Sequence, residues 1–95
     1  MGQPERNEST GPQPSSVELQ ELEEERRKLR RLQVMMSMVM SVISQDADLS
    51  VEEASELAAN AKRAALAMFP DKEFAYDILY KPRLQRLMAE RYRLQ

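Results

Sequence analysis

Cysteine and histidine are both absent from this chain of 95 residues. That removes disulfides, thiol nucleophiles, ordinary zinc sites and the commonest general base. A cysteine-free chain suits a reducing compartment, so a cytoplasmic location is expected. Glycine is nearly as scarce, with only Gly2 and Gly11 present. Beyond Gly11 no glycine-rich phosphate loop can be built, and serine nucleophiles lack an imidazole partner. Acids do pair along the chain at Asp46/Asp48, Glu52/Glu53 and Asp71/Glu73. Each pair falls at a helix start or in a loop, where acids are common whatever the function. The expectation is a non-enzymatic protein with no cofactor, no metal and no small-molecule substrate.

An excess of charge of one sign is missing as well. Fourteen bases against sixteen acids leave a net charge of −2, which gives no global pull toward nucleic acid or a membrane surface. The distribution is uneven all the same. Asp46 to Glu56 holds five acids and no base, whereas Lys81 to Arg93 holds five bases and one acid. The opening "MGQPERNESTGPQPSS" collects three of the five prolines and both glycines, with no apolar run. Residues 1–16 are therefore expected to form a disordered tail. The tail lacks the apolar core of a signal peptide. Arg6 stands where a myristoylation signal favours serine or threonine, and nothing routes the sequon Asn7-Glu8-Ser9 to secretion.

No apolar run approaches the roughly twenty residues of a membrane-spanning helix. The longest uncharged stretch, Leu32 to Gln45, has fourteen residues and is broken by Ser37, Ser41 and Ser44. Four of its residues are methionines, and thioethers are soft ligands for Cu(I). On a helix, however, only Met36 and Met40 stack at i,i+4, and no cysteine or histidine completes a site. Methionine as an adaptable core filler is the better account. On a helical wheel Arg30, Gln33, Ser37, Ser41 and Ser44 share one polar strip. Leu29, Leu32, Met35, Met36, Met38, Val39, Met40, Val42 and Ile43 spread over an arc of about 200°. An ordinary surface helix has an apolar stripe starting near 100°, so this helix calls for neighbours on at least two sides.

The segments around it read as helices too. Ser16 can cap helix 1, expected over residues 17–45. Its acids precede its bases, with Glu23/Arg27 and Glu24/Lys28 at the favourable i,i+4 spacing. Five nearby glutamates offset Arg26, Arg27, Lys28, Arg30 and Arg31. Ser50 and Glu53 form a capping box for helix 2, expected over 51–69. Its buried face would carry Ala54, Leu57, Ala58, Ala61, Ala65 or Ala64, and Met68, with alanines permitting close helix approach. "DADLSVEE" loosely resembles a calcium loop. Val51 replaces its glycine and Leu57 its final glutamate, so calcium is not expected. Helix 3 is expected over 71–80, with Phe74, Ala75, Ile78 and Leu79 on one face. Pro82 should break or kink the chain before helix 4 over 82–93, which carries Leu84, Leu87, Met88 and Tyr92. Nothing alternates as a strand does. The expected fold is all-α: a single domain over 17–95, a small bundle or hairpin of three to four helices built on one long N-terminal helix.

Two surfaces stand out as candidates for function. All five aromatics follow Met68, and Tyr76 and Tyr80 share a helix edge just before Lys81, Arg83 and Arg86. Tyrosine and arginine are enriched at binding hot spots, so Tyr76, Tyr80, Arg83 and Arg86 are candidate partner-binding residues. The plainer alternative has both tyrosines covering the rim of the core. The second surface is a thin leucine seam on the projecting half of helix 1. Leu19, Leu22 and Leu29, with Met36 and Met40, are candidate self-association residues in a coiled-coil manner, toward a homodimer or a partner helix. The expected function is a self-associating protein–protein interaction or adaptor protein. The alternative is a nucleic-acid-associated regulator using Lys81, Arg83, Arg86, Arg91 and Arg93, assisted by Arg26 to Arg31. Against it stand the acid-balanced helix 1 and the negative net charge. A membrane-surface helix is disfavoured because the apolar arc has no tryptophan.

Overall fold

The computed structural model describes residues 15–93. The tail expected over residues 1–16 lies outside them except for Ser15 and Ser16. The chain is all-α, with α1 (Ser16–Gln45), α2 (Val51–Met68), α3 (Glu73–Leu79) and α4 (Lys81–Tyr92), and no strand among the described residues. The cap of α1 is Ser15, one residue before the expected Ser16. Its hydroxyl accepts from the Glu18 N–H at 3.1 Å while the Glu18 carboxylate accepts from the Ser15 N–H at 2.7 Å. A cap at Ser16 would put Leu19 in the reciprocating position, where it has nothing to offer. Ser50 and Glu53 make the same reciprocal pair at the start of α2, at 3.0 and 2.9 Å. In the turn between them the Asp46 carboxylate accepts from the Asp48 N–H at 3.0 Å.

The core is assembled on one stripe of α1. Leu32, Met36, Val39 and Ile43 are buried, spaced by four, three and four residues, against Ala54, Ala61 and Ala65 of α2, Tyr76 of α3 and Leu84 of α4. Both α2 and α4 pack on α1. The small alanines let α2 come close, and Met36 and Ile43 are fully enclosed. The wide apolar arc is nonetheless only partly covered. Val34, Met38 and Val42 lie on its far side and remain exposed.

α3 turns the opposite way from expectation. Phe74, Ile78 and Leu79 are exposed at 79, 56 and 59%, while Tyr76 is buried. Seven residues make too short a helix for its own apolar face to decide its orientation. With the Tyr76 side inward, the Lys62 ammonium of α2 meets Glu73 and Asp77 at 3.0 and 3.1 Å. Those two carboxylates, Glu73 first, raise the pKa of Lys62 above 10.5. Pro82 occupies the first turn of α4, and Tyr80 alone separates it from α3. Proline is harmless there, because the first-turn N–H groups have no acceptor inside their own helix.

The end of α4 ties off the start of the hairpin. α1 has no basic residue in its last turn, so its terminal carbonyls need outside donors. Arg91 supplies one, donating from Nη1 to the Ile43 carbonyl at 2.7 Å, and its Nη2 reaches the Leu49 carbonyl of the turn at 3.4 Å. The Tyr92 hydroxyl donates to the Leu49 carbonyl at 2.8 Å, with the Ser50 carbonyl at 3.3 Å. A cation here also opposes the negative end of the helix dipole. Arg91→Ala is expected to cost about 1.5–3 kcal/mol, the range for hydrogen bonds to a charged group. Thermal melting followed by circular dichroism reads this directly. Arg91→Lys should recover less than half, since one ammonium cannot span both carbonyls.

The molecule measures 67 × 26 × 21 Å with a radius of gyration of 19.9 Å, against about 12 Å for a compact chain of this length. The excess comes from α1. Every residue from Ser15 to Arg31 is exposed, and the part from Ser16 to Arg27, about 18 Å at 1.5 Å per residue, stands clear of the bundle.

Candidate interaction surfaces

The projecting half of α1 continues the buried stripe of its other half. Stepping back by seven residues, Ile43 leads to Met36, then Leu29, then Leu22. Met36 and Ile43 are enclosed, whereas Leu29 and Leu22 are 48 and 50% exposed and the adjoining Leu19 is 49% exposed. The helices that cover the stripe simply stop. α2 runs for 18 residues, about 27 Å, and back along α1 from Gln45 that reaches about the level of Lys28. The charges of this half are uncommitted as well. Among the described residues the ion pairs within 4 Å are those of Lys62 with Glu73 and Asp77; the i,i+4 pairs Glu23/Arg27 and Glu24/Lys28 are not closed.

Of the five residues grouped for self-association, two change role. Met36 is 1% exposed, because it lies on the part of the stripe that the bundle itself covers. It is a core residue and offers nothing to a second chain. Met40 is half-buried against the same core. Leu19, Leu22 and Leu29 remain as an open seam.

Burial withdraws Tyr76 from the tyrosine–arginine ledge. Tyr76 is 6% exposed and its ring packs against that of Tyr80, with centroids 5.6 Å apart and planes at 45°. Tyr80 is half-buried, and Arg83 and Arg86 are exposed. The basic cluster loses a member too, since the guanidinium of Arg91 is committed to the carbonyls of Ile43 and Leu49. Lys81, Arg83, Arg86 and Arg93 stay exposed.

Burial leaves the Tyr76 hydroxyl without a hydrogen-bond partner among the described residues. Asp77 Oδ1, equally enclosed, at least has the Lys62 ammonium at 3.1 Å. Desolvation pushes the Tyr76 phenol above 10.0, and the Lys62 charge pulls it back only in part. Removing an orphaned buried hydroxyl relieves a penalty, so Tyr76→Phe should leave stability unchanged or raise it by about 1 kcal/mol in a urea titration. The pH dependence has a definite sign. Above pH 10.0 the unfolded tyrosine sheds a proton that the folded one keeps, so this contribution is intact below that pH and is lost as pH rises beyond it. Tyr76→Phe should remove that part of the alkaline loss.

One surface was not legible in the sequence. Where α2 ends, Leu29 and Leu32 of α1, Leu66 and Phe69, and Leu79 and Tyr80 enclose an apolar groove of about 200 Å³, with Lys72 on its wall. The exposed Phe74 and Ile78 belong to the same short helix as Leu79. Its residues come from two stretches far apart in sequence, 29–32 and 65–80, and the length of α2 is what makes Leu29 and Leu79 neighbours.

Among the described residues no group of three or more acids, histidines or cysteines is placed to hold a metal ion. No helix among them is long and apolar enough to cross a membrane. Comparison with protein-family models, with curated proteins and with solved structures finds no match, which leaves the geometry of the chain itself to carry the functional argument.

Proposed function

We propose that the protein is a non-enzymatic helical interaction protein that forms a homodimer through the free half of α1. One observation carries this: the stripe that α2 and α4 bury from Leu32 to Ile43 continues uncovered through Leu29 and Leu22. A seam with this spacing is what a second helix packs against in a coiled coil. Physical cost points the same way. A lone helix of about this length is marginal in water, so a partner is the natural source of its stability. The dimer would act as an adaptor, carrying two copies of the bundle and of the exposed Phe74–Ile78 surface, in a cytoplasmic setting that the lack of cysteine suits.

Folding coupled to association makes thermal stability depend on protein concentration. The melting temperature of the full chain is therefore expected to rise by several degrees between micromolar and millimolar protein. A melting temperature that is constant over that range would remove the basis for a dimer.

A further inference from the structure

We infer that the two copies pair antiparallel, with the two-fold axis beside the Glu25–Arg26 peptide bond. This rests on the self-association proposed above and adds its direction and register. The sequence is mirrored in character about that bond. Counting outward, Glu25 is matched by Arg26, Glu24 by Arg27, Glu23 by Lys28, Leu22 by Leu29 and Glu21 by Arg30. An antiparallel neighbour thus lays its acid-rich turns beside the base-rich turns of the first chain, and leucine beside leucine, on both sides of the axis. A parallel pair in register does the reverse, setting glutamates beside glutamates and arginines beside arginines, which destabilises a pair and selects against that orientation.

Two features of the structure agree with this arrangement. Among the described residues these acids and bases are not closed into ion pairs within their own helix, which suits charges that act between chains. The pairing also brings the partner's Leu22 and the partner's Leu19 level with Leu29 and Leu32, where the apolar groove opens. Lys72, which lines the groove, then stands near an acid-rich helical turn. The bundles come to lie at opposite ends of the paired helices.

A single spin label separates the orientations, and the absence of native cysteine makes its placement clean. Ser41 is exposed and well away from the seam, so the full chain with Ser41→Cys carrying a nitroxide keeps both bundle and interface. Its mass is measured by sedimentation equilibrium and its label–label distance by pulsed electron resonance. The antiparallel register places the two labels about 46 Å apart along the helices, at 1.5 Å per residue. A dimer with a distance near that value is the expected result. A dimer whose labels lie within about 30 Å overturns the antiparallel register while leaving self-association intact. A chain that stays monomeric at all concentrations overturns both.

Discussion

Replacing Leu22 and Leu29 together by glutamate should convert the protein to a monomer whose bundle, from Leu32 to Tyr92, remains folded. Both leucines are about half exposed and neither belongs to the enclosed core; Leu29 only borders the apolar groove, so the bundle is expected to stay folded without them. In the dimer they supply most of the apolar contact, and each loses about 1.5–3 kcal/mol of burial when it becomes charged. Four carboxylates also enter one seam across the two chains, where like charges repel. Together this amounts to at least a 100-fold weaker dissociation constant, since 1.4 kcal/mol corresponds to a factor of ten. Mass by sedimentation and the near-ultraviolet signal of the buried Tyr76 report the two halves of the prediction separately. Far-ultraviolet ellipticity should fall too, because residues 16–31 lose the neighbour that keeps them helical. Wild-type mass in this variant would show that the seam is not where the chains meet.

Met36→Lys should act on folding instead. Met36 is 1% exposed and lies among the alanines of α2 and the leucine of α4. Among the described residues no acid is buried with it to receive an ammonium. An unpaired charge in such a place costs about 4–5 kcal/mol or more, comparable with the whole stability of a small domain. The expected result is loss of a cooperative urea transition, with dissociation only as its consequence. A Met36→Lys chain that melts like the wild type yet fails to dimerise would restore Met36 to the interface. Sequence spacing groups Met36 with Leu22 and Leu29 because all three share one stripe; what separates them is where α2 ends.

The same distinction describes what was legible beforehand. The strand-free, four-helix architecture follows from local pattern. The Ser50/Glu53 capping box, the polar strip of Ser37, Ser41 and Ser44, and the two internal prolines are short-range signals that need no knowledge of the remainder of the chain. Features that depend on distant contacts were not legible. α3 is too short to orient by its apolar residues, so its contacts with distant residues, among them Lys62 of α2, go with Tyr76 facing inward and Phe74 outward. Arg91 counted among surface bases in sequence but closes the end of a helix 48 residues away. The apolar groove joins two stretches far apart in sequence and lies where α2 ends, beside Leu29. Of the candidate residues, Leu19 and Leu22 of the seam remained accessible because they lie beyond the end of α2, and Arg83 and Arg86 because they face away from the core.

The central claim, that this seam is shared between two chains, is tested most directly by the solution mass of the full protein over a wide concentration range. A chain of 11.0 kDa should approach twice that mass as concentration rises in sedimentation equilibrium, and the Leu22→Glu/Leu29→Glu variant should remain at the monomer value throughout. A wild-type chain that stays at 11.0 kDa even at millimolar concentration would contradict the account, because the exposed half of α1 would then be stable without a second copy.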